Sequence, residues 1–202
     1  MTVPSQTKTK VLLPMHADGS LRLGIVADTH SQPNERGLEH LAEHRPDFIL
    51  HGGDIGDLTV LDRLAQLAPV HAVRGNIDVR SQLPDVLILE LVREGRPELT
   101  MLLTHIAIAG ARIRADAARL ARAAKASVII CGHSHVPFIG QEKGLSIFNP
   151  GSIGPRRFHL PILFGMMELG PTEVTLRHYD AETGKEWSPS PRGGEGWGEG
   201  CL

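Results

Sequence analysis

Apolar runs in this sequence end repeatedly in side chains that donate oxygen or nitrogen: Asp28 and His30, then Asp54, Asn76, His105, and finally His133 with His135. Carboxylate, amide and imidazole donors suit Mn, Fe, Co, Ni or Zn and exclude soft Cu(I). Seven such ligands exceed what one open site accepts, and a carboxylate shared between two ions accounts for the number. The chemistry of that arrangement is a two-metal centre, with ions roughly 3.5 to 4 Å apart, which acidifies a bridging water and clamps both oxygens of an in-line phosphoryl displacement. Glycines 52, 53, 75 and 132 stand beside these residues and permit tight turns with close approach of backbone to ions and substrate.

The elements that must position these groups follow from periodicity. The runs LRLGIVAD (21–28), DFILHGGD (47–54) and VHAVRGN (70–76) read as buried strands. Helical spacing of leucines over 34–44 and 58–67 places a helix between each pair, so the first half reads β-α-β-α-β around a parallel sheet. VLILELVREG (86–95) and ELTMLLTH (98–105) form a hairpin through a short Gly-containing turn and open a second sheet. An Ala- and Arg-rich helix over 114–125 follows, then the strands VIICGH, LSIFNPG, ILFGMMEL and EVTLRHYD. Ligand-bearing residues thus sit at the carboxyl ends of strands, where open α/β sheets build their sites.

Composition sets the outer bounds. With 202 residues, 41% hydrophobic and 22% charged, the chain suits one compact domain. A balance of 21 basic against 23 acidic residues supplies no basic field for nucleic acid and no polybasic patch for a membrane. Two cysteines make no disulfide framework, and with neither an 18-residue apolar span nor a signal peptide in view, the expectation is a soluble, cytoplasmic protein. Residues 1–20 read as a flexible extension, 21–185 as the domain, and 186–202 as a disordered Pro- and Gly-rich tail. Oligomeric state stays open, a homo-oligomer included.

Taken in order, Asp28-x-His30, Gly53-Asp54, Gly75-Asn76, His105 and Gly132-His133-x-His135 resemble the calcineurin-like metallophosphoesterases over about residues 21 to 180. Asn149-Pro150-Gly151-Ser152 followed by Pro155-Arg156 resembles the small, single-domain phosphodiesterase branch (YfcE-like). The resemblance implies an α/β four-layered αββα sandwich with two mixed β-sheets. It also implies two divalent metal ions per chain, manganese expected, with Fe, Ni, Co and Zn as alternatives. Asp28, His30 and His135 would hold one ion, Asn76, His105 and His133 the other, and Asp54 would bridge them. The implied reaction is hydrolysis of a small phosphoester by in-line attack of a bridging hydroxide. Asp54, Asn76 and His105 would carry the catalysis, and Asn76 and Arg156 would contact the substrate phosphate.

Many relatives carry Gly-Asn-His-Glu or Gly-Asn-His-Asp where this chain has Gly75-Asn76-Ile77-Asp78. Ile77 has no proton for a poor leaving group, so phosphodiesters are expected over phosphomonoesters. The alternative that the same fold admits is a metal-binding scaffold or protein-interaction subunit with weak or no phosphatase activity. Other groups read as structural: His40, His44, His71, His159 and His178 match no motif, His51 packs, and Asp57 and Asp78 cap turns or orient imidazoles. Cys131, inside an apolar run, reads as an inert buried thiol.

Overall fold

A computed structural model describes residues 6–189. One sheet contains β2 (Leu21–Val26), β3 (Phe48–His51), β4 (Val70–Ala72), β12 (Leu163–Leu169), β13 (Val174–Asp180) and β14 (Glu186–Trp187). Its order is β14-β13-β12-β2-β3-β4, with β2, β3 and β4 parallel and β12 antiparallel to β2. The other contains β1 (Lys8–Pro14), β5 (Val86–Arg93), β6 (Arg96–Thr104), β9 (Val128–Ile130), β10 (Phe138–Glu142) and β11 (Leu145–Asn149), in the order β1-β5-β6-β9-β11-β10. A small ribbon, β7 (Ile108–Ala109) with β8 (Arg112–Ile113), leads into a helix. The helices are α1 (Glu35–Glu43), α2 (Thr59–Ala65) and α3 (Ala115–Ala123).

The period-2 alternation of β2 explains the layering. Leu21, Leu23 and Ile25 point to the inter-sheet core with Leu50, Leu89, Leu103, Ile130 and Phe148, while Val26 faces the other way. On that outer face Leu38 and Leu41 of α1 and Val60 and Leu64 of α2 bury against Val26 and Ile49. Each such side chain contributes roughly 1.5 to 3 kcal/mol. On the far side Ala117 and Ala121 of α3 cover Leu102, Ile129 and Ile147. Helix, sheet, sheet, helix is the resulting order, as expected. Asn34 starts α1 by accepting the Gly37 N–H at 2.8 Å. No described helix is long and apolar enough to cross a membrane.

Local signals at the turns hold. Between β5 and β6, Glu94 and Gly95 have φ of +51° and +77°, the paired left-handed residues that a two-residue hairpin requires. Lys143 and Gly144, at +52° and +78°, do the same between β10 and β11.

The ends of the chain depart from expectation. Within the extension expected over residues 1–20, residues 8–14 are not free, because β1 pairs in parallel with β5 from Lys8↔Val86 to Pro14↔Val92. Leu13 is fully buried in the inter-sheet core, and the Thr7 N–H and Oγ1 bond Asp85 Oδ2 at 2.7 and 2.9 Å. Pro14 reads as a breaker, yet an edge strand tolerates it. At the other end the tail assigned from 186 begins with a strand, β14, whose Trp187 meets the His178 ring edge-on at 5.9 Å. Residues 190–202, with Trp197 and Cys201, lie outside the described residues.

Candidate metal centre

Carboxyl ends of β2, β3 and β4 lead to Asp28, Asp54 and Asn76, and those of β6 and β9 to His105, His133 and His135, so both sheets deliver side chains to one rim. Five of the seven ligand candidates hold left-handed backbone: Asp28 (φ +56°), His30 (+44°), Asp54 (+55°), His133 (+71°) and His135 (+58°). A side chain there costs about 1 kcal/mol or more, and such strain collects at functional sites. Hydrogen bonds stitch the turns together. The Asp28 N–H donates to Gly53 O (2.9 Å), the His30 N–H to Asp54 O (3.0 Å) and the Gly132 N–H to His105 O (3.0 Å). Across the sheets, the His133 N–H donates to the Asp28 carboxylate at 2.9 Å. Gly75 has no substitute, since a Cβ there would lie 2.1 Å from Asp54 N and 2.2 Å from its Oδ1.

Further support comes from residues with no predicted ligand role. The Asp78 carboxylate accepts the N–H groups of Ile55 (3.0 Å), Gly56 (2.9 Å) and Gly75 (2.7 Å), locking the turn after β3 to the turn after β4. His51 is fully buried. Its Nδ1 accepts from the Gly53 N–H at 3.1 Å, so its Nε2 donates to Thr29 Oγ1 at 3.0 Å, and burial lowers its pKa to about 3. Asn149 donates to Gly132 O (2.7 Å) and Ser134 Oγ (3.1 Å), shaping the turn that carries His133 and His135.

The ligating atoms gather in two groups. Asp28, His30 and His135 each offer one atom, all within 4.8 Å of one another, and Asp54, His105 and His133 do likewise. Asp54 stands between the groups, with Oδ1 3.3 Å from His105 Nε2 and Oδ2 4.0 Å from His30 Nε2. The Asn76 amide lies 3.5 Å from His133 Nδ1. All seven side chains singled out in the sequence therefore share one cluster.

Electrostatics of the cluster fit divalent cations. His105 Nδ1 donates to Gly52 O at 2.7 Å, which turns Nε2 toward Asp54 Oδ1, 3.3 Å away. Two acceptors facing each other need a cation or a proton between them. Burial raises the Asp28 carboxyl to about 7. For Asp54 burial acts in the same upward direction, but the hydrogen bond and charge of His105 outweigh it and hold the carboxyl well below the usual carboxylate range. Burial works against the His105 proton, and its bond to Asp54 overcomes that, so this imidazole titrates above its ordinary value. Burial lowers His30 and His133, and it takes His135, whose Nδ1 is buried without a partner, to about 4. These three rings are neutral at pH 7, as ligands must be.

Residues 21–171 match the family model of the calcineurin-like phosphoesterase superfamily domain. The chain belongs to this superfamily. It is 32% identical over 138 residues to a probable metallophosphoesterase of Methanocaldococcus jannaschii, covering 66% of this chain and 69% of that one. Among solved structures of like fold is the phosphoesterase YfcE of E. coli, with a TM-score of 0.55, 20% identity and coverage of 83% of this chain and 97% of that one. Vps29 of Entamoeba histolytica, solved in complex with Zn, gives 0.66 at 21% identity over 83% and 96% of the two chains.

Arg156, expected to contact the substrate phosphate, donates from its Nη1 to Leu160 O at 3.1 Å. Arg157 takes the inward place, with Nη2 donating to His30 Nε2 at 3.1 Å. Nothing in the sequence separates two adjacent arginines, because the backbone of the turn decides which one faces in. Cys131 is fully buried, which raises its thiol pKa far above the ordinary value and keeps it inert.

Proposed function

We propose that this chain is a metal-dependent phosphodiesterase whose cluster holds two divalent ions, manganese being the expected pair. The observation that carries the reading is Asp54, whose two oxygens face His105 on one side and His30 on the other. In this reading Asp28, His30 and His135 hold one ion, Asn76, His105 and His133 the other, and Asp54 serves both. Such ions supply Lewis acidity, lowering the pKa of a water toward neutral and neutralising a phosphoryl group under in-line attack. The chain's own residues prepare this. The Gly52 carbonyl holds the His105 proton on Nδ1 and frees Nε2, and the His133 N–H fixes the Asp28 carboxylate. Ile77, half exposed next to Asn76, puts an aliphatic chain where no leaving oxygen can be protonated, which favours diesters with good leaving groups. The substrate is a small phosphoester, and the compartment the cytoplasm.

A variant Asp54→Ala tests the assignment. Its hydrolysis of a bis-aryl phosphodiester in manganese should fall by roughly 100-fold or more, with fewer ions bound per chain. Wild-type turnover in that variant would remove Asp54 from the mechanism. The second reading, an interaction subunit, is favoured by the exposed Ile77 and Val79 beside the cluster and by the likeness in fold to Vps29. Two ions per chain with no hydrolysis across a phosphoester panel would select it.

A further inference from the structure

Arg157 is a cation placed against the cluster with no anion of its own. Among the described residues its guanidinium has no carboxylate within 4.0 Å, and its hydrogen-bond partner is His30 Nε2 at 3.1 Å. Arg114, the other arginine whose charge reaches His133, is already paired with Asp116 at 3.0 Å. The turn that carries Arg157 is tied to the strand end that carries Asp28. Ser152 Oγ donates to Asp28 O at 3.0 Å, the Ile153 N–H to Ala27 O at 3.3 Å, and the Asn34 N–H to Ile153 O at 2.8 Å. A Cβ at Gly154 would lie 2.2 Å from Asp28 O, so backbone presses on backbone here. The guanidinium is thereby held over the rim by a seated turn.

A single lone pair on His30 Nε2 cannot serve both a guanidinium and a metal ion. Once an ion takes it, Arg157 keeps its fork of N–H donors and its charge, now beside two further cations. An anion at the same place satisfies all three, and a phosphoryl group presents oxygens spaced for that fork. Resting on the dinuclear reading above, we propose that Arg157 grips the substrate's phosphoryl group, lying on His30 in the metal-free centre and passing its donors to phosphate oxygens when His30 is coordinated. Arg157 is then both a competitor of the first ion and a partner of the substrate.

Calorimetric titration of inorganic phosphate into the manganese-loaded full chain tests this, with wild type, Arg157→Ala, Arg157→Lys and the exposed helix variant Arg119→Ala compared. Arg157→Ala should weaken phosphate by roughly 10- to 100-fold, and Arg157→Lys by less, because an ammonium restores charge without the fork. Arg119→Ala should match wild type. In kinetics on an aryl phosphodiester the alanine variant should raise KM more than it lowers kcat. Manganese titrated into metal-free Arg157→Ala should bind at least as tightly as to wild type. Equal phosphate affinity in wild type and Arg157→Ala, both carrying two ions, would overturn this role alone. A wild type that binds no manganese would overturn it together with the dinuclear reading, so ion stoichiometry tells the two failures apart.

Discussion

Asp28 shows at the scale of one residue how the cluster is built for a cation. It has no exposed surface and accepts only a backbone N–H, so burial raises its carboxyl from 3.8 to about 7. The folded chain therefore keeps a proton that the unfolded chain releases between about pH 4 and pH 7. Stability from this group is fully present below about pH 4 and is lost as pH rises through about 7, a change of roughly 4 kcal/mol in the metal-free protein. A divalent ion replaces that proton and recovers the loss. Manganese affinity should accordingly fall roughly tenfold per pH unit below about 7, and the manganese-induced rise in Tm should be larger at pH 8 than at pH 5.5. A flat affinity across that interval would show that Asp28 holds no proton. Burial lowers its neighbours His30, His133 and His135 while His105 is raised by its bond to Asp54, so the slope at the upper end of this window belongs to the carboxyl and to His105.

The turns are the elements on which the cluster depends. Asp78 binds three backbone N–H groups from the turns after β3 and β4, the same turns that present Asp54 and Asn76. Replacing it with Ala strands those donors, and at about 1 kcal/mol each the cost should be roughly 2 to 4 kcal/mol by urea unfolding, with weaker manganese binding. A loss under about 1 kcal/mol would mean that water takes over the carboxylate's place. On β13 of the same sheet His178 plays a comparable part, donating to Asn149 O at the end of β11 in the opposite sheet at 2.7 Å while burial lowers its pKa to about 4. Helices and central strands were readable from apolar period alone. Asp78 was readable as a turn cap but not as the tie between two turns, because two of its three partners lie 22 and 23 residues upstream and only Gly75 belongs to its own turn.

For the whole molecule, the decisive fact is that two sheets stack with strand ends on a common rim. Leu13 of β1 belongs to the core between them, which makes residues 8–14 part of the domain. Leu13→Ala should cost about 2 to 5 kcal/mol in chemical unfolding, and a variant as stable as wild type would return that segment to the status of an appendage. The amino-acid order by itself determined the donor types, the glycines between them, the parallel first half and the hairpin that begins a second sheet. These depend on residue chemistry and on spacing within a few turns. Tertiary structure alone decided that β1 joins an edge nearly eighty residues away, that Arg157 and not Arg156 faces inward, and that one carboxylate of Asp54 lies between both groups. Those outcomes depend on distances between segments remote in the chain, which burial of the two sheet faces sets and no local pattern encodes.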